Sequence, residues 1–189
     1  MSREKILDAI RRNKPSEKVD LPSLPLKGKA YQPEKTITEF EKNLLAVGGI
    51  IHSRKDFRMD KVAKSLNLVF SMNEEISKGN FDIENARVED LEKLDVAILN
   101  ATLGVAENGA LWVPEENMGK RPIPFITKDL VLTIRKDLIV DTMHDAYDKL
   151  AESDTGYGVF ISGPSKTADI EQALVIGAQG HLRLYVIIE

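Results

Sequence analysis

Cysteine is absent from the 189 residues, so this chain alone can build neither a disulfide nor a thiolate-ligated iron–sulfur cluster. Also missing is any apolar run near the roughly 18 residues that a membrane-spanning helix needs. There is no broad basic field. The 26 Lys and Arg stand against 30 Asp and Glu, a net charge of −4, which argues against partnership with nucleic acid or an anionic membrane. His52, His144 and His181 are the only histidines. None pairs at i, i+4 and no carboxylate pattern completes a ligand set, so no metal site is expected. Internal repeats and low-complexity tracts are lacking. Met1–Asn13 has neither the apolar centre nor the small-residue cleavage site of a signal peptide. A cytoplasmic location is the expectation.

What is present reads as an ordinary globular chain. Hydrophobic residues make up 42% and charged residues 30%, and the length suits about one domain. Ile6, Leu7 and Ile10 fit one face of a short amphipathic helix. Pro15, Pro22, Pro25 and Pro33 then mark an extended connector, since proline fixes φ and removes a donor. Residues 1–34 are therefore expected to form an arm that packs on the body or on a partner chain, compatible with a homo-oligomer. Residues 35–189 are expected to form an α/β domain.

Within the body, spacing predicts helices over Thr36–Val47, Asp56–Leu66, Ile139–Ala151 and Ala168–Ala178, the first ended by Gly48–Gly49. Short apolar runs predict strands at Ile50–His52, Leu68–Phe70, Val96–Leu99, Leu111–Val113, Leu130–Ile134, Val159–Ser162 and Leu182–Ile188. The alternation implies a mostly parallel or mixed sheet flanked by helices. Val159–Ser162 and Leu182–Ile188, continuously apolar, are expected to be neighbouring buried strands joined by a right-handed crossover.

Two loops carry a chemical signal. Gly163–Asp169 runs from a strand into the predicted helix at Ala168. Free amides at a helix start bind anions, and Lys166 adds a positive charge there. Gly163, Ser165, Lys166, Thr167 and Asp169 thus form a candidate anion site beyond the carboxyl end of a strand. Ser, Thr and Asp are also what helix capping alone selects. The order of neither a Walker A loop nor a dinucleotide fingerprint is present. In Gly104–Gly109, Glu107 lies between glycines ahead of a strand, where a carboxylate can act as base or nucleophile. Gly109 would let a ligand approach. The alternative is a hairpin, because Asn108–Gly109 favours a two-residue type I′ turn that leaves Glu107 solvated. Arg121 suits an anion contact or a plain surface role. Asp141 and Asp145 read as a solvated helix face, His144 as packed or exposed, and Trp112, the sole tryptophan, as core.

These two segments resemble a known family. G-V-A-E-N-G-A-L is similar to the A-E-T-G-T-L segment of the lactate-utilisation protein C family, the LUD domain. G-P-S-K-T-A-D-I-E is similar to that family's G-P-S-R-T-A-D-I-E. The likeness covers about residues 35–189. It implies the NagB/RpiA/CoA-transferase-like α/β fold. It also implies a place in operons that oxidise L-lactate to pyruvate alongside iron–sulfur proteins. Asn108 stands where threonine is usual, and Lys166 replaces arginine, keeping the charge without the bidentate fork. Many relatives read G-x-H-G-P where this chain has Gly177-Ala-Gln-Gly-His181, so Gln179 cannot act as an acid or base there. The A-E-N-G segment also looks like the S-E-N-G of some CoA transferases, whose glutamate forms an acyl thioester. Three roles follow as expectations. The first is an accessory or subunit protein of lactate oxidation that binds a small anionic metabolite or docks an iron–sulfur partner. The second is a CoA-transferase-like or ligase-like enzyme using Glu107. The third is a non-enzymatic metabolite-binding module. No cofactor bound through cysteine is possible; the sequence identifies no other.

Overall fold

The computed structural model describes residues 3–13, 32–62, 68–151, 156–168, 174–177 and 180–189. The chain divides into two units, Met1–Ala30 and Tyr31–Glu189. In the first, α1 (Arg3–Arg12) places Glu4 in its opening turn and Arg11 and Arg12 in its last, each favourable to the helix dipole.

The second unit opens with α2 (Pro33–Ala46), β1 (Ile50–Ser53), α3 (Met59–Val62), β2 (Val69–Ser71), α4 (Val88–Leu91) and β3 (Val96–Asn100). β4 (Leu103–Val105), β5 (Ala110–Pro114), α5 (Ile123–Ile126), β6 (Asp129–Ile134) and β7 (Ile139–Val140) follow. It closes with α6 (Met143–Ala151), β8 (Gly158–Ile161), β9 (Lys166–Ala168), β10 (Leu174–Ile176) and β11 (Arg183–Ile188).

Five strands form one parallel sheet in the order β1-β11-β6-β3-β2. Side chains of the inner strands β11, β6 and β3 alternate between two covered faces, which is why these strands are mostly apolar, while edge strand β1 leaves Ile50 and Ser53 exposed. Val96, Ile98, Val131, Tyr185 and Ile187 pack with Phe57 and Val62 on one face. Leu99, Leu130, Leu132, Leu184 and Val186 pack with Phe40 and Leu44 of α2 on the other. Removing each large side chain from water contributes about 1.5–3 kcal/mol. A second sheet, β7-β4-β5-β8, is mixed: β4 runs parallel to β7 and antiparallel to β5, which is antiparallel to β8. Its Leu111, Val113 and Ile161 join the core under α2. Its other face holds Leu103, Val105 and Val140 with Ala146 of α6. Among the described residues no helix is long and apolar enough to cross a membrane.

Several expectations are corrected here. Val159–Ser162 and Leu182–Ile188 are not neighbours: β8 edges the mixed sheet and β11 lies inside the parallel one. No right-handed crossover joins them, and no helix starts at Ala168. Instead β9 and β10 form an antiparallel pair, Leu174↔Ala168 to Ile176↔Lys166. Three successive apolar residues, Leu174-Val-Ile, find a strand partner, and pairing overrides the weak helical spacing. The predicted helix Ile139–Ala151 begins only at Met143, because Ile139 and Val140 pair with Gly104 and Val105. Asp145 is therefore a cap: its carboxylate accepts from the Thr142 amide at 3.0 Å, and Thr142 Oγ1 accepts from the Asp145 amide at 3.2 Å. Asp141 is half-buried and receives the Thr36 hydroxyl.

Candidate functional site

Helix α2 is the centre of the site. Its buried stripe is Thr36, Phe40 and Leu44, spaced at i, i+4 and i+8. It ends in a Schellman arrangement: Gly48, at φ +96°, donates to Leu45 O, and Gly49 donates to Leu44 O at 2.9 Å. The Val47 carbonyl, one residue past the helix, is left facing outward from this turn.

The first motif loop lies against the same turn. Val105↔Ala110 is the last pair of the β4–β5 hairpin, so the loop has four residues, 106–109, and not the two of a type I′ turn. Ala106 and Glu107 donate their amides to Val140 O and Asp141 O at 2.8 and 3.0 Å. Asn43 of α2 donates to the carbonyls of Ala106 and Glu107 at 2.7 and 3.2 Å. Asn108 Oδ1 accepts from the Ala110 amide at 3.0 Å, a turn-closing bond suited to asparagine. Gly109 has φ +64°, and a Cβ there would lie 2.6 Å from the Leu44 amide nitrogen. With its backbone anchored, the loop presents the Glu107 side chain to solvent.

The second motif loop packs beside the first. Ser162 Oγ donates to Asn108 O at 2.7 Å. Gly163, at φ +72°, approaches so closely that a Cβ would sit 2.6 Å from Val47 O. Pro164 is buried, with its ring over Gly48. The Ser165 amide donates to His181 O at 3.0 Å, and Ser165 O accepts from the Gly177 amide at 2.9 Å. Lys166 is exposed and donates its ammonium to Val47 O. Thr167 sits on β9 opposite Val175. Asp169 and Gln179 lie outside the described residues.

This geometry changes the electrostatic expectation. Among the described residues no helix N-terminus meets Gly163–Lys166. The helix end that does is the carbonyl end of α2, whose partial negative charge favours a cation, and Lys166 supplies one. The loop also lies at the amino ends of the parallel strands, beside His181 just before β11 and Val47 just before β1. The carboxyl ends hold instead a polar network that carried no sequence signal. There Asn100 Oδ1 accepts from Asn73 and Thr133 at 3.0 and 2.7 Å, and Asn117 donates to Asn100 O at 2.8 Å. Asparagine and threonine scattered over sixty residues form no recognisable spacing.

The remaining sites resolve individually. Arg121 makes a bidentate pair with Glu115 at 2.6 and 2.9 Å and lies 4.7 Å from the Tyr157 ring centre. That pairing raises the Arg121 pKa and lowers that of Glu115. His144 is exposed, while His52 lies between Phe57 and Tyr185. Trp112 is half-buried against Phe160, with ring centres 4.7 Å apart. Its indole N–H is buried and has no partner among the described residues. Among those residues no group of three His, Asp or Glu side chains could hold a metal. A shallow surface groove of about 450 Å³ is lined by Glu34, Lys35, Thr38, Glu39 and Lys42 of α2, none of them a motif-loop residue.

Comparison with known proteins places this arrangement. The family model described as the LUD domain matches residues 38–188. A lactate utilization protein C of Shouchella clausii (strain KSM-K16) is 31% identical over 109 residues, covering 54% of this chain and 47% of that protein. One from Geobacillus sp. (strain WCH70) is 28% identical over 169 residues, covering 82% of this chain and 70% of that protein. In the first alignment the chain spans about half the length of the relative. The crystal structure of a DUF162 family protein from Deinococcus radiodurans shares the fold, with a TM-score of 0.61 at 18% identity, covering 84% of this chain and 98% of that one.

Proposed function

The chain belongs to the LUD-domain family, and on that footing we propose that it is an accessory or subunit protein in the oxidation of L-lactate to pyruvate, presenting its two joined motif loops to a partner protein. One observation carries the reading: the Ser162–Asn108 bond unites both loops in one surface at the end of α2, with the Glu107 and Lys166 side chains exposed on it. Relatives named lactate utilization protein C support a role in lactate utilisation. Oxidising L-lactate removes two electrons and two protons. A chain without cysteine has no thiolate to hold an iron–sulfur cluster that would take those electrons, so iron–sulfur partner proteins are the natural acceptors. A protein partner is favoured over a small anion because Lys166 is engaged with Val47 O and the helix end nearby carries the wrong sign for an anion.

The test is genetic. Deleting the gene in its host is expected to abolish growth on L-lactate and leave growth on pyruvate intact. Wild-type protein should restore growth, whereas Glu107→Lys and Lys166→Glu, accumulating to the same level, should not. Unimpaired growth of the deletion strain on L-lactate refutes the pathway. Full rescue by both charge reversals removes the surface. The exposed Glu107 also keeps the acyl-transfer reading open to a direct check. Intact-protein mass spectrometry after incubation with acyl-CoA thioesters is expected to show no adduct, and an adduct on Glu107 would replace partner docking with covalent catalysis.

A further inference from the structure

Helix α1 carries an apolar stripe that is left open. Ile6, Leu7 and Ile10 share one side of the helix, yet α1 has no buried residue, and Ile6 and Ile10 are 48% and 52% exposed. A helix of 10 residues is marginal in water by itself, because nucleation costs more than so few turns return. Its pattern is that of a helix stabilised by docking.

Charge narrows the choice of cover. Residues 1–30 carry 8 Lys and Arg against 4 Asp and Glu, whereas residues 31–189 carry 18 against 26. The arm is basic and the α/β unit is acidic. Such an arm is drawn to an acidic protein surface. An anionic membrane would attract the arm and repel the unit attached to it.

The outer side of the mixed sheet offers an apolar face of that character. Tyr147 of α6 is 60% exposed, and its ring centre lies 5.9 Å from that of Phe160 on β8. Phe160 in turn packs against Trp112 of β5, and both are only half-buried. Gly158 leaves room for the indole on β8. Asp145 and Asp148, both exposed, stand beside Tyr147 along α6 and outnumber Lys149. Exposed aromatic side chains grouped in this way mark protein interfaces.

The connector favours a second molecule. Thr36 of α2 donates its hydroxyl to Asp141, two residues before α6, so the connector ends beside this face. Tyr147 lies six residues beyond Asp141, about 10 Å along a helix. Pro15, Pro22 and Pro25 fall between α1 and α2. A proline-containing spacer is semi-rigid at about 3.1 Å per residue, so residues 13–32 reach about 60 Å. Extended, that spacer carries α1 well past the face of its own copy.

We propose that α1 of one copy docks on the Tyr147–Phe160 face of a second copy, which returns its own α1, giving an arm-exchanged dimer. The exchange is isologous, so both arms and both faces are used. The proposal is independent of the lactate reading.

Light scattering on the full chain across a dilution series tests this. A dimer that dissociates on dilution is expected. Ile6→Asp and Ile10→Asp should each weaken it by about tenfold or more, the worth of one buried aliphatic side chain. Tyr147→Asp should weaken it from the other side. Ile6 and Ile10 lie outside the α/β unit, so their replacement leaves its fold intact. Because the chain lacks cysteine, a nitroxide on Asn13→Cys is unique. Mixed with isotope-labelled copies that carry no nitroxide, it should broaden their amide signals around Tyr147 and Phe160. A chain that is monomeric at every concentration overturns the proposal, as does a dimer indifferent to Ile6→Asp and Ile10→Asp. Broadening seen only when nitroxide and isotope share one molecule puts the arm on its own copy and overturns the exchange. Co-sedimentation with anionic phospholipid vesicles that is lost in Ile6→Asp would replace the second copy with a membrane.

Discussion

Replacing Gly109 with alanine tests whether this motif glycine serves the fold or a ligand. Its φ of +64° lies in the left-handed region, and the added Cβ would fall 2.6 Å from the Leu44 nitrogen and 2.7 Å from its Cα. Both obstacles are backbone atoms within a helix, so no side chain can swing aside. The left-handed conformation costs alanine about 1–2 kcal/mol. Forcing an atom into close-packed surroundings adds about 1–3 kcal/mol. The sum is about 2–5 kcal/mol, and at roughly 2–4 °C per kcal/mol for a unit of this size the melting temperature should fall by about 4–20 °C. Differential scanning calorimetry reads this directly. Gly156, whose Cβ would meet nothing within 4 Å among the described residues, is the control and should tolerate alanine. A Gly109→Ala protein melting within 1–2 °C of wild type would refute the packing argument and return Gly109 to the role of making room for a ligand.

Two further substitutions probe the neighbouring contacts. Lys166→Met should lower stability by about 0.3–1 kcal/mol, the usual worth of an exposed cation at a helix C-terminus, with Lys166→Arg restoring most of it; urea midpoints measure both, and an unchanged Lys166→Met midpoint would count against the capping role. In Gly158→Ala the new Cβ would lie 2.1 Å from Trp112 Cζ2, so the indole must leave its place; because Trp112 is the sole tryptophan, its emission should shift to longer wavelength, and an unshifted spectrum would show that β8 yields instead.

The parallel sheet was legible because its signal is local. Val96–Leu99 and Leu182–Ile188 read as strands, the second buried on both faces, and β3 and β11 lie there with Leu184–Ile188 buried, whereas Val159–Ser162, read as buried in the same way, is only half-buried at the edge of the second sheet. The end of α2 was announced by Gly48–Gly49. What could not be read was which strands pair. β8 and β11 have similar apolar composition yet lie in different sheets, because pairing depends on contacts far apart in sequence. The error at Ala168–Ala178 had larger consequences. Reading a helix there supplied a positive dipole for an anion, whereas the sequence-distant α2 brings its negative end to the same loop. His181 was read as a departure from a resembling motif; its part in the structure depends on Pro124 and Gly163, 57 and 18 residues away.

The commitments of each side chain also bear on what a partner can gain. A ligand that takes the Lys166 ammonium must displace Val47 O, exchanging one charge-assisted bond for another of the same class. The net gain is only the difference between two such bonds. Glu107 stands otherwise. Its backbone is held by Asn43, Val140 and Asp141 through the loop, while its exposed carboxylate makes no ion pair or hydrogen bond among the described residues. An arginine or lysine brought to Glu107 breaks no contact among the described residues, and the anchored backbone limits the cost of ordering the loop on contact. Specificity at this surface therefore rests on the negative group. A partner that docks here should carry its basic residue opposite Glu107, and the Glu107→Lys protein should regain function with a partner whose basic residue has been reversed to glutamate.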